Sequence, residues 1–459
     1  MPKKINSVVG IDVGSQQIKV AEIKLQGRDP VVTAIGLGPT PDGAVDHTGL
    51  YDVDAVCAAI KEIFSASGVT VPSMVITIAG QASVLVRTLE VPRMNESDLK
   101  EHMQWEISRN IPFAESTVVS DYKAFPATDA ASQNMDVVMA ISPQSAIDTL
   151  LSLAKKLSKL PYGIDVEPLS LARALVHSYE GTLDGKTVCV VEIGHKTTSI
   201  NMYRDGELLM PRMVPIGGEN FTRTIAESLS VSFEEAEKLK LERLRIPDAA
   251  SQATGSPTFS SPDSGMFTAY NPFADDPMLI PPEVTAAPPA NPYGETTIPP
   301  SAGAMSNPAA YDPSATYAPV DPYAAPDAPA AEVFDPMAPV APPSMVPAPV
   351  PYEAADPEAI RVYNGMASIL DEFLSEIRRS IDYFRSKGGD VDRVVLTGGG
   401  AKMKGLESFL EKSVGVSVTI LDPMKGLAVN AKRLEPGLLE HHGTDFSIAV
   451  GNGLYICFD

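Results

Sequence analysis

Ile11-Asp12-Val13-Gly14-Ser15, Glu192-Ile193-Gly194-His195-Lys196-Thr197-Thr198 and Thr397-Gly398-Gly399-Gly400-Ala401 are the stretches on which the fold of this 459-residue chain turns. The first two echo each other. Each is an apolar strand, Val8 to Val13 or Thr187 to Ile193, that ends in a carboxylate, a glycine and small hydroxyl residues. Two such loops facing one another make a phosphate clamp. Gly14 and Gly194 let the backbone turn tightly and bring N–H groups close to phosphate oxygens, while Ser15, Thr197 and Thr198 add hydroxyl donors. Lys19, on the continuing strand, can neutralise phosphate charge directly. Asp12 and Glu192 are too negative to face a triphosphate bare, so they read as holders of a magnesium ion through water or as groups that orient a water. The third segment, Gly398, Gly399 and Gly400, closes the strand Val394-Val395-Leu396 and lets a flat ligand such as a nucleotide base approach the backbone. Each stretch alone also reads as an ordinary turn, since Gly, Asp and Ser all favour turns. Their order, each at a strand end, carries the argument.

Working outward from the first stretch, residues 8 to 79 alternate strand and helix. Val8 to Val13, Ile18 to Leu25 and Val31 to Leu37 are strands; a helix follows with Val53, Val56, Cys57, Ile60 and Phe64 on one face, and Met74 to Ala79 returns as a strand. Between residues 83 and 166 lies a smaller α+β unit. Val84 to Val91 alternates, and a helix capped by Asn95 carries Leu99, Met103, Ile107 and Ile111. Strands at Val118 to Phe125 and Asp136 to Ile141 lead to a helix with Ser142 as N-cap, Pro143 at N1, and Ile147, Leu150, Leu151, Ala154 and Leu157 as its buried stripe. The strand meander then recurs: Thr187 to Ile193, Ser199 to Arg204 and Glu207 to Ile216, with an Asp205-Gly206 turn and a helix starting near Glu219. This is an internal duplication at long range. Helical order resumes at Asp356, with Tyr363, Met366, Leu370, Phe373, Ile377, Ile381 and Phe384 as one stripe, and ends in a helix from Phe446 to Ile456. The expectation is an α/β fold of two duplicated β-β-β-α-β-α domains, 1–82 with 167–180 and 181–246 with 356–459. The small subdomain occupies 83–166, and a disordered insertion occupies 247–355.

Composition sets limits. The net charge of −22 argues against a nucleic-acid backbone as partner. No Lys or Arg lies between Pro247 and Ile360, where 14 carboxylates sit, so more than half of the net charge belongs to one segment. That segment also holds roughly two thirds of the 41 prolines and cannot bury enough apolar surface to fold alone. Aromatic-proline elements such as Tyr270-Asn271-Pro272-Phe273 and Asp321-Pro322-Tyr323 recur in it. They fit a polyproline-like spacer, and secondarily a tether for a proline-recognising or basic partner. Cys57, Cys189 and Cys457, far apart and in apolar surroundings, read as buried thiols of a reducing compartment. Lys3 and Lys4 precede an apolar run too short for a signal peptide, and no stretch approaches a membrane span. A cytoplasmic protein that meets membrane only through partners is expected.

With these motifs in place, the chain resembles the PilM family of type IV pilus assembly proteins, within the actin-like ATPase superfamily and close to the division protein FtsA. The resemblance rests on residues 9–15 with Lys19, on Arg87-Thr88-Leu89-Glu90-Val91-Pro92, Ile111-Pro112-Phe113 and Asp121-Tyr122, and on Gly217-Gly218, Glu235-Ala236-Glu237-Lys238-Leu239-Lys240 and Leu396 to Ala401. It implies an actin-like fold. It places Asp12, Gly14, Ser15 and Lys19 on one phosphate loop and Glu192, Gly194, Lys196 and Thr197 on the other. Glu237 and Lys240 fall where the family contacts ribose and base, although alone they read equally as a solvated helical salt bridge. Gly398, Gly399, Gly400 and Met403 fall on the adenosine motif, although Met403 alone reads as core. ATP and magnesium are the implied cofactors. The implied partner is the short cytoplasmic N-terminal peptide of a PilN-like membrane protein, held in a groove beside the small subdomain, with a link to the pilus motor ATPases.

Glu192 stands where the superfamily most often has Asp, and its extra methylene pushes the carboxylate toward metal and water. ATP binding with weak or no hydrolysis is therefore expected, and no residue offers itself as a base for water. Two other readings compete. A small-molecule kinase needs an Asp base, for which Asp165 and Asp121 are the candidates. An FtsA-like filament protein would end in an amphipathic anchor, whereas this sequence ends directly after Leu454-Tyr455-Ile456-Cys457-Phe458.

Overall fold

Two strand hairpins with the same register build the two halves of the molecule. The computed structural model describes residues 5–114, 117–125, 133–179, 181–247 and 356–458, all within one compact unit. In the first half, β1 (Ser7–Val13) runs antiparallel to β2 (Gln17–Gln26), so that Asp12 faces Lys19, and β3 (Asp29–Pro39) adds to β2. Helix α1 (Val53–Ser67) starts where the Asp52 carboxylate accepts the Ala55 N–H and stops at Gly68 in left-handed backbone. Its Val56, Ile60, Ile63 and Phe64 face the sheet, and β4 (Ser73–Ile78) returns parallel to β1.

A small three-stranded sheet interrupts this half. β5 (Leu85–Pro92), β6 (Val118–Ala124) and β7 (Asn134–Pro143) pair antiparallel with β7 in the middle. Helix α2 (Glu96–Arg109) starts as expected, with Asn95 accepting the Asp98 N–H, and buries Leu99 and Met103 against Val137, Met139 and Ile141.

The stretch 144–166 differs from expectation. Ser142 and Pro143 end β7 instead of starting a helix; Ser142 donates to the Pro143 carbonyl, and α3 (Gln144–Lys156) has no side-chain cap. Its buried residues are Leu150, Leu153 and Ala154, while Leu151 is exposed. The physical reason is the neighbour. α3 packs on α1 and the first sheet, with Leu150, Leu153, Ala154 and Leu157 in the same core as Val56, Ile60 and Met74. β8 (Leu160–Val166) then pairs parallel with β4, so α3 and β8 complete the first sheet and do not belong to the small one.

Helix α4 (Glu167–Ser178) crosses to the second half. There β9 (Thr187–Ile193) pairs antiparallel with β10 (Thr198–Arg204), so that Glu192 faces Ser199, and β10 carries β11 (Glu207–Met210) and β12 (Met213–Val214). Helices α5 (Gly218–Leu229), α6 (Phe233–Glu242) and α7 (Pro357–Ser386) cover one face, with Val362, Met366, Leu370, Phe373, Ile377 and Ile381 of α7 buried in its core. β13 (Arg393–Thr397) pairs parallel with β9, α8 (Leu406–Val414) follows, and β14 (Val418–Ile420) pairs parallel with β13. The order β11-β10-β9-β13-β14 repeats β3-β2-β1-β4-β8 strand for strand.

The last residues return to the first half instead of completing the second. β15 (Ala428–Val429) pairs with β3, and α9 (Leu438–His442), α10 (Ser447–Gly453) and α11 (Tyr455–Phe458) follow. Leu438, Phe446, Ala449, Val450 and Leu454 pack with Val8, Ala21, Ile23 and Ile35. Of the cysteines, Cys57 and Cys189 are buried as expected, but Cys457 on α11 is exposed. Among the described residues no helix is long and apolar enough to cross a membrane. The proline-rich insertion, its aromatic-proline elements, and Lys3 and Lys4 lie outside the described residues. The chain on either side of the insertion is tied together, with Arg243 paired to Asp356 at 3.8 Å and to Glu358 at 3.1 Å.

Candidate functional site

The hairpins of the two halves place their turns on one cavity of about 730 Å³, within the range of small-molecule sites. In the first turn the Gly14 N–H donates to the Gln17 carbonyl at 3.1 Å; in the second the Gly194 N–H donates to the Thr197 carbonyl at 2.9 Å. A Cβ on either glycine would meet that same carbonyl at 3.0 Å, which is why both turns need glycine. The glycine N–H groups are thus spent in closing the turns, and donors toward a phosphate have to come from the residues that follow.

Asp12, Gly14, Ser15, Lys19, Glu192, Gly194, Lys196, Thr197, Gly218, Glu237, Lys240, Gly398, Gly399, Gly400 and Met403 all line the cavity. Gly217 does not. It sits behind the second turn, where a Cβ would lie 2.4 Å from the His195 carbonyl; that closeness lets Gly218 and Glu219 donate to the carbonyls of Gly194 and His195. Thr198 is also not a donor to the cavity, because it is buried and its hydroxyl is committed to the Ile216 carbonyl at 2.7 Å. Gly398, in left-handed backbone, and Gly400 serve packing as well as access. A Cβ on Gly398 would lie 2.6 Å from Glu192 Oε1, and one on Gly400 would lie 2.2 Å from Ile193 Cγ2. Gly399 alone of the three has room above it. On α6, Lys240 bonds Glu237 at 2.7 Å, Thr222 Oγ1 at 2.7 Å and the Gly218 carbonyl at 3.1 Å, which ties α6 to the start of α5.

The electrostatics centre on Lys19, partly buried and 3.1 Å from Asp12 Oδ2. Burial pulls its pKa down, but Asp12, with lesser help from Glu192 and Asp445, pulls it up and prevails. Glu192 is driven well above the usual carboxylate range, by burial first and by Glu167 next. Glu167, the first residue of α4, is pushed up to about 7 by burial, opposed by a Ser199 hydrogen bond and raised further by Asp12. Its Oε1 is buried without a hydrogen-bond partner. A carboxylate of this kind can hold or release a proton near neutrality, so the cavity does contain a candidate base for water. Sequence reasoning missed it. The available signal was an acid directly after a strand, in Val166-Glu167-Pro168, one residue beyond the strand end, whereas Asp12 and Glu192 are the penultimate residues of theirs.

Also missed were His195, whose Nδ1 lies 3.1 Å from Ser15 Oγ, and Asp445, held at 2.7 Å by both Lys402 and His442. The two candidates for a kinase base fall away. Asp165 is buried in an ion pair with Arg173 and accepts the Val166 N–H, and Asp121 is exposed on β6. Among the described residues no cluster of three or more His, Cys, Asp or Glu could hold a metal ion by itself.

Known proteins resemble this chain in sequence and in fold. A family model described as type IV pilus assembly protein PilM matches residues 10–254, and one for cell division protein FtsA matches residues 189–451. FtsA of Bacillus subtilis is 23% identical over 254 residues, covering 50% of this chain and 57% of that protein. FtsA of Porphyromonas gingivalis is 27% identical over 263 residues, covering 51% and 53%. The chain thus spans about half the length of these curated relatives. A solved structure of a PilM-PilN type IV pilus biogenesis complex superimposes with a TM-score of 0.66 at 20% identity, covering 99% of each chain. The fold is therefore actin-like, and because the first family model covers more than half of the sequence, the chain belongs to the type IV pilus assembly protein PilM family.

Proposed function

We infer that this chain is an ATP-binding scaffold of type IV pilus assembly, in which nucleotide sets the relation of the two halves and a neighbouring groove holds the N-terminal peptide of a PilN-like membrane protein. The observation that carries the nucleotide reading is the pair of matched glycine turns on one cavity, with Lys19 and a third glycine segment lining the same cavity. The residues fit ATP with magnesium. In the cavity Lys19 pairs with Asp12 and Lys402 with Asp445, whereas the raised Glu192 and the unpartnered Glu167 oxygen mark a place that lacks positive charge. Magnesium would neutralise phosphate charge there, taking Asp12 and Glu192 through water. Lys19 and Ser15 would meet phosphate oxygens, and Met403, Leu244 and the Gly398 to Gly400 backbone would face the base, with Glu237 and Lys240 near the ribose.

The peptide partner rests on family membership and on the likeness to a PilM that was solved in complex with PilN, and localisation at a membrane would follow from that partner. A link to the motor ATPases is a further expectation of the same kind. Binding, not rapid turnover, is the proposed function, with Glu192 in place of the shorter Asp limiting hydrolysis.

The test is a titration of the full chain with the N-terminal peptide of a PilN-like protein, with and without ATP, repeated with Lys19→Ala. ATP is expected to bind with slow phosphate release and to tighten the peptide, and Lys19→Ala to abolish both effects. No ATP binding would overturn the nucleotide reading, and peptide binding unchanged by ATP would overturn the gating. Steady-state turnover like that of a metabolic kinase would overturn the scaffold.

A further inference from the structure

The two phosphate turns touch through a side-chain pair. Ser15 and His195 each follow the glycine of their turn, and Ser15 Oγ lies 3.1 Å from His195 Nδ1 across 180 residues of sequence. The His195 backbone is fixed, because its carbonyl accepts the Glu219 N–H at 2.8 Å and the backbone of Gly217 packs directly on it. The imidazole is the part left to move.

The charged groups around it are already engaged in ion pairs that do not involve Ser15. Lys196, from the same turn, lies 3.7 Å from Glu219 of α5; Lys240 of α6 is held by Glu237, Thr222 and the Gly218 carbonyl. In the first hairpin Lys19 is paired with Asp12, and Lys402, which follows the third glycine segment, is paired together with His442 to Asp445. His195 differs from all of these groups in that its side-chain partner lies on the opposite glycine turn. Burial holds its pKa below the ordinary histidine value, against the pull of Glu219, so it is neutral at neutral pH.

We propose that His195 is the specificity-determining residue for the terminal phosphate of a nucleoside triphosphate: the imidazole leaves Ser15 and bonds the phosphate that enters between the turns. This rests on the nucleotide reading above. A shorter diphosphate does not fill the gap between Ser15 and His195, so the pair stays closed on itself and the residue contributes nothing to ADP. Bonding a phosphate favours the imidazolium, so ATP binding takes up a proton at His195 and strengthens as pH falls.

The test measures dissociation constants for magnesium-ATP and magnesium-ADP by calorimetry on the full chain at about pH 6.5 and about pH 8, with wild type, His195→Gln and His195→Ala. Gln keeps size and a hydrogen-bond donor but cannot titrate, and comparison with it cancels the titration of ATP itself. The expected result is a loss of about tenfold in ATP affinity for His195→Ala with ADP unchanged within about twofold. For His195→Gln the extra pH dependence of wild type, and its proton uptake in buffers of different ionisation enthalpy, should vanish. An ATP to ADP ratio that both variants preserve, with wild-type pH dependence intact in His195→Gln, would overturn the assignment while leaving nucleotide binding standing. Wild type that binds neither nucleotide would overturn the nucleotide reading itself, and this assignment with it.

Discussion

Lys19 is the residue whose loss should be felt most, because it is the partly buried cation that Asp12, Glu192 and Asp445 surround. Lys19→Ala is expected to lower the melting temperature of the ligand-free chain as well as remove ATP binding, since breaking a buried pair leaves an uncompensated charge and costs about 3 kcal/mol. Thermal unfolding with and without ATP checks both effects. Glu167 gives the opposite sign. Its pKa rises from 4.5 in the unfolded chain to about 7 in the folded one, so the folded state keeps the proton longer. The stability that proton confers is complete below pH 4.5 and is lost as pH rises through about 7. Glu167→Gln should therefore remove a fall in stability on the order of 3 kcal/mol across that window, read as the difference between wild-type and variant melting curves. These residues also show what a sequence can reveal. Asp12, Lys19 and Glu192 are visible because each belongs to a short motif at the end of an apolar strand. Glu167, His195 and Asp445 are harder to see, because what makes them notable is set by the fold: Glu167 and Asp445 each carry a buried oxygen without a hydrogen-bond partner, and His195 meets Ser15 across 180 residues of sequence. Thr198 misleads for the complementary reason, since local chemistry cannot tell that a hydroxyl is already spent on Ile216.

At the level of elements, strand and helix positions follow from periodicity, but which sheet a helix covers does not. The period of α3 is visible in the sequence, yet its buried stripe turns to take Leu153 and release Leu151 because α1 is its neighbour. The same holds for α10, whose run Ala449-Val450-Gly451-Asn452-Gly453 reads as a weak helix rich in glycine. Its role is to cross β1 and α4 at close range. A Cβ on Gly451 would lie 1.9 Å from the Ser170 carbonyl and one on Gly10 would lie 2.0 Å from the Ala449 carbonyl, both backbone atoms that cannot swing aside. Asn452 locks the crossing, donating to the Ile11 carbonyl at 2.9 Å and to Thr77 Oγ1 at 2.7 Å. Gly451→Ala is therefore expected to cost about 3 kcal/mol in urea unfolding. Gly443→Ala, with helical backbone and open space at the Cβ, should be neutral or slightly stabilising by about 0.5 kcal/mol. Equal effects of the two substitutions would show that the crossing is not tightly packed.

For the whole molecule, the two halves are built on separate sheets, joined by α4 and by the return of residues 427–458 to the first sheet, with the cavity between their matched turns. A ligand that touches both halves stabilises the folded chain by mass action, about 2.7 kcal/mol at a hundred times its dissociation constant. The insertion should not affect this. Arg243 already bridges to Asp356 and Glu358, so the chain ends that flank residues 248–355 meet without it, and a short Gly/Ser linker can span them. Excision of 248–355 is accordingly expected to leave the melting temperature of the ligand-free protein within a few degrees of the full chain. It should also leave the upward shift with magnesium-ATP intact, while the same shift is absent in Lys19→Ala. Scanning calorimetry of the three proteins at matched ATP concentration separates the outcomes. If excision alone abolishes the shift, the segment takes part in nucleotide binding and the cavity between the turns is only part of the site. If the shift survives excision and disappears with Lys19→Ala, nucleotide binding is a property of the duplicated turns alone, and the acidic segment acts elsewhere.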